Sequence, residues 1–237
     1  MKKYLYKQIY DDIKARIDNN EIEAGEKLPS EKELQNKYDA SRDTIRKALG
    51  WLEFEDYLDR KPGKGTFVRE KKIDYDFSRI DSFSEQMNRL GRKASSNIVS
   101  LDLSTNMPEH IKEILQIPDN GLCYKVSRIR LADGKIMAYE ETYIPYECTP
   151  NLHEHLTNES SLYKIYEEVY KIKMGVGQLS VEAQLTDKEI QEHLNIKSSE
   201  PVLKMEGCVT QADYKPLYYV DCWYRADRYK FTIQLQR

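Results

Sequence analysis

The spacing of apolar positions changes character twice along the chain. Over residues 4–19, Leu5, Ile9, Ile13 (or Tyr10) and Ile17 recur at helical intervals among charges, which predicts an amphipathic helix. A second helix is expected after Ser30, an N-cap with Glu33 three residues on as its capping-box acid, and Leu34 and Tyr38 on its inner face. Asp39 and Ala40 make a tight turn, and Ser41 caps a third helix that also contains Thr44 and Phe54. Its Ile45, Ala48, Leu49 and Leu52 follow the i, i+3, i+4, i+7 rule of a buried stripe. Residues 57–60 and 66–69 then read as two strands around a basic, glycine-punctuated tip, Arg60-Lys61-Pro62-Gly63-Lys64-Gly65. The charged run that follows, residues 71–80, shows no period and reads as a linker.

From Ser82 onward short helices and alternating strands take over. Helices are expected over residues 83–90 (ended by Gly91), 108–115, 161–170 and 187–194, the last with Thr186 as its N-cap. Strands are expected over 95–103, 122–131, 136–144, 175–183, 202–211, 217–225 and 231–235. Asp133-Gly134 is the strongest hairpin signal in the chain, joining the second and third of these. The pattern predicts an α+β protein: a helical, hairpin-bearing domain over residues 1–70, the linker, and an antiparallel sheet domain with helices over 81–237.

Composition narrows the class without naming a function. Charged residues make up 32% of 237 and hydrophobic ones 40%, as in a soluble globular chain. No run of eighteen apolar residues occurs, so no membrane partner is expected and a cytoplasmic location is. The four cysteines (Cys123, Cys148, Cys208, Cys222) are scattered, with no CxxC pair and no histidine at zinc spacing; reduced thiols and no metal or other cofactor are expected. The net charge of −3 speaks against nucleic acid until it is divided. Residues 1–72 carry 17 basic against 15 acidic side chains, net +2, and residues 73–237 carry 20 against 25, net −5. Six basic residues against two acidic ones fall within 58–72, at the hairpin, where phosphate contacts would lie.

Two helices joined by a tight turn, followed by a basic hairpin, make a winged helix-turn-helix. Its second helix presents Ser41, Arg42, Asp43 and Arg46 at an exposed N-terminal end, where side chains reach base edges in the major groove. LPSE, SRDTIRKAL and RKPGKGTFV, in this order and spacing, resemble the N-terminal domain of GntR-type bacterial transcription regulators over roughly residues 4–70. The resemblance implies DNA contacts by Ser30, Lys32, Ser41, Arg42, Asp43, Thr44, Arg46, Lys61, Gly63 and Lys64. Thr44 would hold phosphate, and Gly63 would let the wing tip approach the minor groove. Three positions depart from the family pattern. Lys32 replaces an arginine and keeps charge without the bidentate fork. Asp43 replaces a small polar residue, and Asp56 replaces a glycine before the wing.

In the second domain Arg128 and Arg130 alternate with apolar residues along one strand, so two guanidiniums share a face. Two arginines on a cleft face call for an anion, and a planar fork suits phosphate or carboxylate; ordinary salt bridges are the plainer reading. Ser82, Phe83 and Ser84 start a helix, which offers backbone donors to an anion or is simply a cap. SFSEQM, RIRLADGKIMAYEETYIP, SSLY and WYRADRY resemble the effector-binding UTRA domain of the HutC subfamily over residues 74–237, a fold related to chorismate lyase. The resemblance implies phosphate held by the Phe83-Ser84 region, Arg128, Arg130, Ser161 and Tyr163. It also implies sugar hydroxyls or an amine held by Glu140, and a pocket wall of Tyr218 and Tyr224. Glu141 should face the other way, because a strand's side chains alternate.

The function implied is a ligand-responsive repressor of a sugar-utilisation operon. Its partners would be an operator in double-stranded DNA, a sugar-phosphate effector and a second copy of the chain, since a net charge of +2 gives one head a weak field. A carboxylate effector (amino acid or fatty acid) is the alternative. An enzyme is not expected, because His110, His153, His155 and His193 fall into no catalytic set.

Overall fold

The computed structural model describes residues 4–19, 21–69 and 72–234. The chain forms two compact units that meet in sequence at Lys72 and Ile73. In the first unit α1 (Leu5–Asp18), α2 (Glu31–Tyr38) and α3 (Arg42–Phe54) precede the hairpin of β1 (Leu58–Lys61) and β2 (Gly65–Val68). Ile9, Ile13, Leu34, Ile45, Leu49 and Leu52 close its core. Leu5, expected inward, is 44% exposed, because burial of a stripe needs an opposing surface and the first turn has none. Phe54, at the last turn of α3, is likewise exposed. Residues 25–28 run beside the wing: Leu28 N–H donates to Thr66 O at 2.8 Å and Val68 N–H to Glu26 O at 2.9 Å. The hairpin is thereby tied to the helical part.

The second unit is built on a six-stranded antiparallel sheet. After β3 (Ile73–Asp76), its strands in chain order are β4 (Ala94–Ser104), β5 (Cys123–Ala132), β6 (Lys135–Pro145), β7 (Met174–Gln184), β8 (Val202–Gln211) and β9 (Pro216–Arg225). Their spatial order is β4-β5-β6-β9-β8-β7. Asp133 and Gly134, at φ 50° and 75°, make the predicted two-residue hairpin between β5 and β6. Helices α4 (Phe83–Arg89), α5 (Glu109–Ile114) and α7 (Lys188–Leu194) fall where expected, and α6 (Leu162–Lys164) opens the helical stretch before β7.

Four further expectations need correction. The stretch read as a linker contains β3, which pairs in parallel with β10 (Tyr229–Thr232) and buries Ile73 and Tyr75. Its alternation lasts only four residues amid charges. The helix expected over 161–170 is α-helical only to Lys164 and continues as a π-turn, Ile165–Val169. The cap of α7 is Asp187, whose Oδ1 accepts from Ile190 N–H at 3.0 Å, not Thr186. The last strand runs Tyr229–Thr232 rather than 231–235, and Leu235 lies outside the described residues. Among the described residues no helix is long and apolar enough to cross a membrane.

Candidate functional site

The first unit presents the predicted DNA-contact residues on two adjoining features. Ser30 forms the expected capping box with Glu33, and Ser41 Oγ accepts from Thr44 N–H at 3.3 Å. These caps fix the starts of α2 and α3, so Lys32, Arg42 and Asp43 project from the first turns of the two helices and Arg46 from the next turn of α3, all exposed. Thr44 Oγ1 lies 2.9 Å from Ser41 Oγ. Glu31 was not singled out in the sequence, yet its carboxylate meets Arg42 Nε at 3.2 Å and Arg46 Nε at 3.5 Å. One acid therefore orients both arginines of α3. At the wing, Gly63 adopts φ 72° with open space around it, and Lys64 N–H donates to Lys61 O at 2.9 Å to close the turn. Lys61 Nζ lies 5.0 Å from the centre of the Phe67 ring. Asp56 sits at φ 61°, the left-handed region that explains a glycine preference there, and its carboxylate pairs with Arg69.

The second unit holds a cavity against one face of the sheet. Antiparallel register puts Arg128 of β5 beside Glu140 of β6, and Arg130 beside Ala138. The same face of β9 adds Tyr218, Val220 and Tyr224, while α4 and the 161–166 stretch close the cavity from the other side. Ser82, Phe83, Arg128, Arg130, Glu140, Ser161, Tyr163, Tyr218 and Tyr224 all line it. Ser84 alone of the predicted set does not; it is half-buried beside it. Glu141 faces the other side of the sheet, with its carboxylate 2.9 Å from Lys125 Nζ.

The electrostatics of the cavity are unbalanced. Arg128 and Arg130 are 3% and 4% exposed. One nitrogen of Arg128, Nη2, donates to Glu140, while Nε and Nη1 of both arginines have no partner among the described residues. Arg130 lies 4.6 Å from the centre of the Phe83 ring. Burial, and secondarily the charge of Arg128, lowers its pKa to about 10. Burial alone would raise the Glu140 carboxyl, but Arg128 and Arg130 outweigh it and hold the group below its ordinary value. Thr142 Oγ1 also donates to Glu140, at 3.2 Å. Two buried cations thus face one buried carboxylate. The other acid of the lining, Asp81, is engaged by Arg79 and Arg89. Unpartnered charged donors at this depth are costly, and an anion entering the cavity would satisfy them.

The helix start at Ser82 is less open than its sequence suggests. Ser82 Oγ accepts from Glu85 N–H at 3.1 Å and the Glu85 carboxylate accepts from Ser82 N–H at 2.8 Å. The capping box therefore occupies part of the donor set expected for an anion. Across the cavity the Tyr163 and Tyr218 hydroxyls are 2.5 Å apart. Sequence reading missed Tyr75, Asp81, Thr142 and Tyr166 as lining residues. Thr142 was reachable, two positions from Glu140 on the same strand face; Tyr75 was hidden in the supposed linker.

Comparison with known proteins agrees with this division. Residues 5–68 match the family "Bacterial regulatory proteins, gntR family", and residues 89–230 match the UTRA domain. The chain is 30% identical over 235 residues to the mannosyl-D-glycerate transport/metabolism system repressor MngR of Escherichia coli K12, covering 99% of this chain and 97% of that protein. It is also 30% identical over 234 residues to the HTH-type transcriptional repressor NagR of Bacillus subtilis 168, covering 98% and 95%. Among solved structures, PhnF from Mycobacterium smegmatis superposes with a TM-score of 0.74 at 22% identity, over 96% of this chain and 98% of that one, a likeness of fold.

Proposed function

The chain belongs to the GntR family of bacterial regulatory proteins, with a HutC-type UTRA domain as its second half, and is a DNA-binding transcription regulator rather than an enzyme; within that role we propose that it is a repressor of a sugar-utilisation operon that senses a phosphorylated sugar. The observation that carries this reading is the set of four buried guanidinium N–H positions on Arg128 and Arg130 that have no partner among the described residues, in a cavity with only one carboxylate free to balance them. A phosphomonoester supplies both the charge and the oxygens that these donors lack. Glu140, Thr142 and the Tyr163–Tyr218 pair offer acceptors and donors to sugar hydroxyls, and the aromatic walls give a sugar ring apolar faces to lie against.

In this reading Ser82, Phe83 and Ser84 border the anion and Ser161 adds a hydroxyl to it. Tyr224 forms the far wall. On DNA, Ser41, Arg42, Asp43 and Arg46 face base edges. Ser30, Lys32 and Thr44 hold phosphates, and Lys61, Gly63 and Lys64 lie along the groove edge. A homodimer in the cytoplasm, at the nucleoid, doubles the weak charge of one head and matches a two-fold operator. A carboxylate effector is the second reading. It is favoured by the fit of a guanidinium fork to a carboxylate and by the relative named for mannosyl-D-glycerate, whose glycerate end is a carboxylate.

The test is fluorescence anisotropy on DNA from the region upstream of the protein's own gene, titrated at fixed salt with sugar phosphates and their unphosphorylated counterparts. A phosphate-dependent shift in operator affinity that disappears in Arg128→Ala is the expected result. A response to carboxylates alone moves the effector to the second reading. Absence of any operator binding overturns the regulatory assignment.

A further inference from the structure

Tyr166 belongs to neither the sequence-derived site nor the sheet, and it is the most deeply buried polar group in the cavity wall whose hydroxyl is unused. Its side chain is 0% exposed and its hydroxyl has no hydrogen-bond partner among the described residues. A buried hydroxyl left unsatisfied is disfavoured, and replacement by a hydrogen would remove the penalty at almost no change in shape. The residue is held in place firmly. Its ring stacks on Tyr218 at 5.9 Å with an 18° interplanar angle, and lies 6.4 Å from the Tyr163 ring.

The backbone explains how the ring comes to be there. Tyr163 lies in α6 and Tyr166 three residues on, in the turn that follows, and both line the cavity. At Ile165 the helix widens into the π-turn, with Tyr170 N–H donating to Ile165 O at 3.2 Å. Such turns are uncommon and concentrate at functional sites. Arg128 and Arg130 reach the cavity from the sheet, and Tyr166 reaches it from the helical side. The free donors therefore come from two elements, two guanidiniums from one strand and a hydroxyl from the opposite wall.

We propose that Tyr166 is the third arm of an anion clamp completed by Arg128 and Arg130, and that its hydroxyl makes the cavity select a phosphomonoester over a carboxylate. The inference rests on the effector cavity proposed above. A carboxylate has two oxygens in one plane, which two guanidinium edges on one strand satisfy. A phosphomonoester has three terminal oxygens that are not coplanar with its ester bond, so one oxygen is left for a donor from another direction. Tyr166 donates to that oxygen alongside the Ser161 hydroxyl from the same wall, and at the same time gains the partner that its own hydroxyl lacks among the described residues.

The experiment compares the full-length protein with Tyr166→Phe and Arg128→Ala, using thermal shift and calorimetry with glucose 6-phosphate, inorganic phosphate and acetate as probes. In Tyr166→Phe, affinity for the two phosphates is expected to fall about tenfold or more, as for a hydrogen bond to a charged group. Acetate binding should change less than twofold. The same variant, freed of an unsatisfied hydroxyl, should melt at the same temperature as the parent or higher without ligand, which separates loss of binding from loss of folding. Equal losses for phosphate and acetate overturn the selectivity, and no loss for any probe overturns the role of Tyr166. If Arg128→Ala also leaves every probe unaffected, the cavity itself is not the anion site and the broader reading falls with it.

Discussion

Glu31 and Asp56 show what single residues add to the DNA head. Glu31 holds both Arg42 and Arg46 by exposed ion pairs, and such pairs contribute little free energy, so DNA can displace the carboxylate readily. The pairing orients the guanidiniums in advance, which reduces the side-chain entropy lost on binding. Asp56 tolerates a left-handed backbone because a short polar side chain is among the few that do, and the Arg69 pair holds it there. The family's glycine at this position was visible in sequence as a departure; the conformation that justifies it was not. Arg46 gives the prediction at this scale. Arg46→Ala should weaken operator binding about 10- to 100-fold, the range of a bidentate base contact, with a smaller effect on DNA of unrelated sequence. Anisotropy with both DNAs checks it, and unchanged operator affinity would remove α3 from the major groove.

At the scale of elements, α3 depends on its cap. Ser41 accepts from Thr44 N–H at the helix end that is meant to meet DNA, and that end also carries Asp43, which favours the positive end of the helix dipole. Ser41→Ala should lower the stability of the head by about 1 kcal/mol, seen in thermal unfolding, while Ser41→Asp restores it. Equal melting of all three would mean the cap is not needed. The capping box at Ser30 was legible because a box fixes two residue types at one spacing, whereas at Ser82 only a helix start was read and the box with Glu85 emerged from the structure. The long strands were legible as runs of ten or eleven residues between turn signals that carry strand-type apolar side chains, even where strict alternation is broken. β3 alternated too, but over four residues, too few to stand out from charged surroundings. Neither the π-turn nor the choice between Thr186 and Asp187 leaves a mark in hydrophobic spacing, since both concern which of two adjacent backbone positions begins or ends a bond pattern. The arginine pair was legible from strand period, whereas its missing partners and the Tyr166 hydroxyl became visible only once the cavity walls were assembled from distant segments.

At the scale of the whole molecule the question is how occupancy of one unit changes the affinity of the other. Regulation requires that effector and operator alter each other's binding by the same factor, whichever sign it has. The position of β3 bears on this. The chain leaving the wing does not cross a free linker of ten residues; by Ile73 it has already become a strand of the sensor unit, and Tyr75 on that strand lines the effector cavity and packs on Tyr224 and Phe231. A ligand that touches Tyr75 therefore bears on the segment from which the head is tethered, three residues past Lys72. Inserting four Gly/Ser residues between Lys72 and Ile73 leaves the cavity and the DNA-contact face intact but makes the tether slack. Effector affinity without DNA should stay within about twofold of the parent, while the ratio of operator affinities with and without effector should fall towards one. By reciprocity, effector affinity measured with and without operator should converge to the same extent. A ratio that survives the insertion would mean that β3 does not carry the coupling, and that the two units communicate by a route other than the covalent tether.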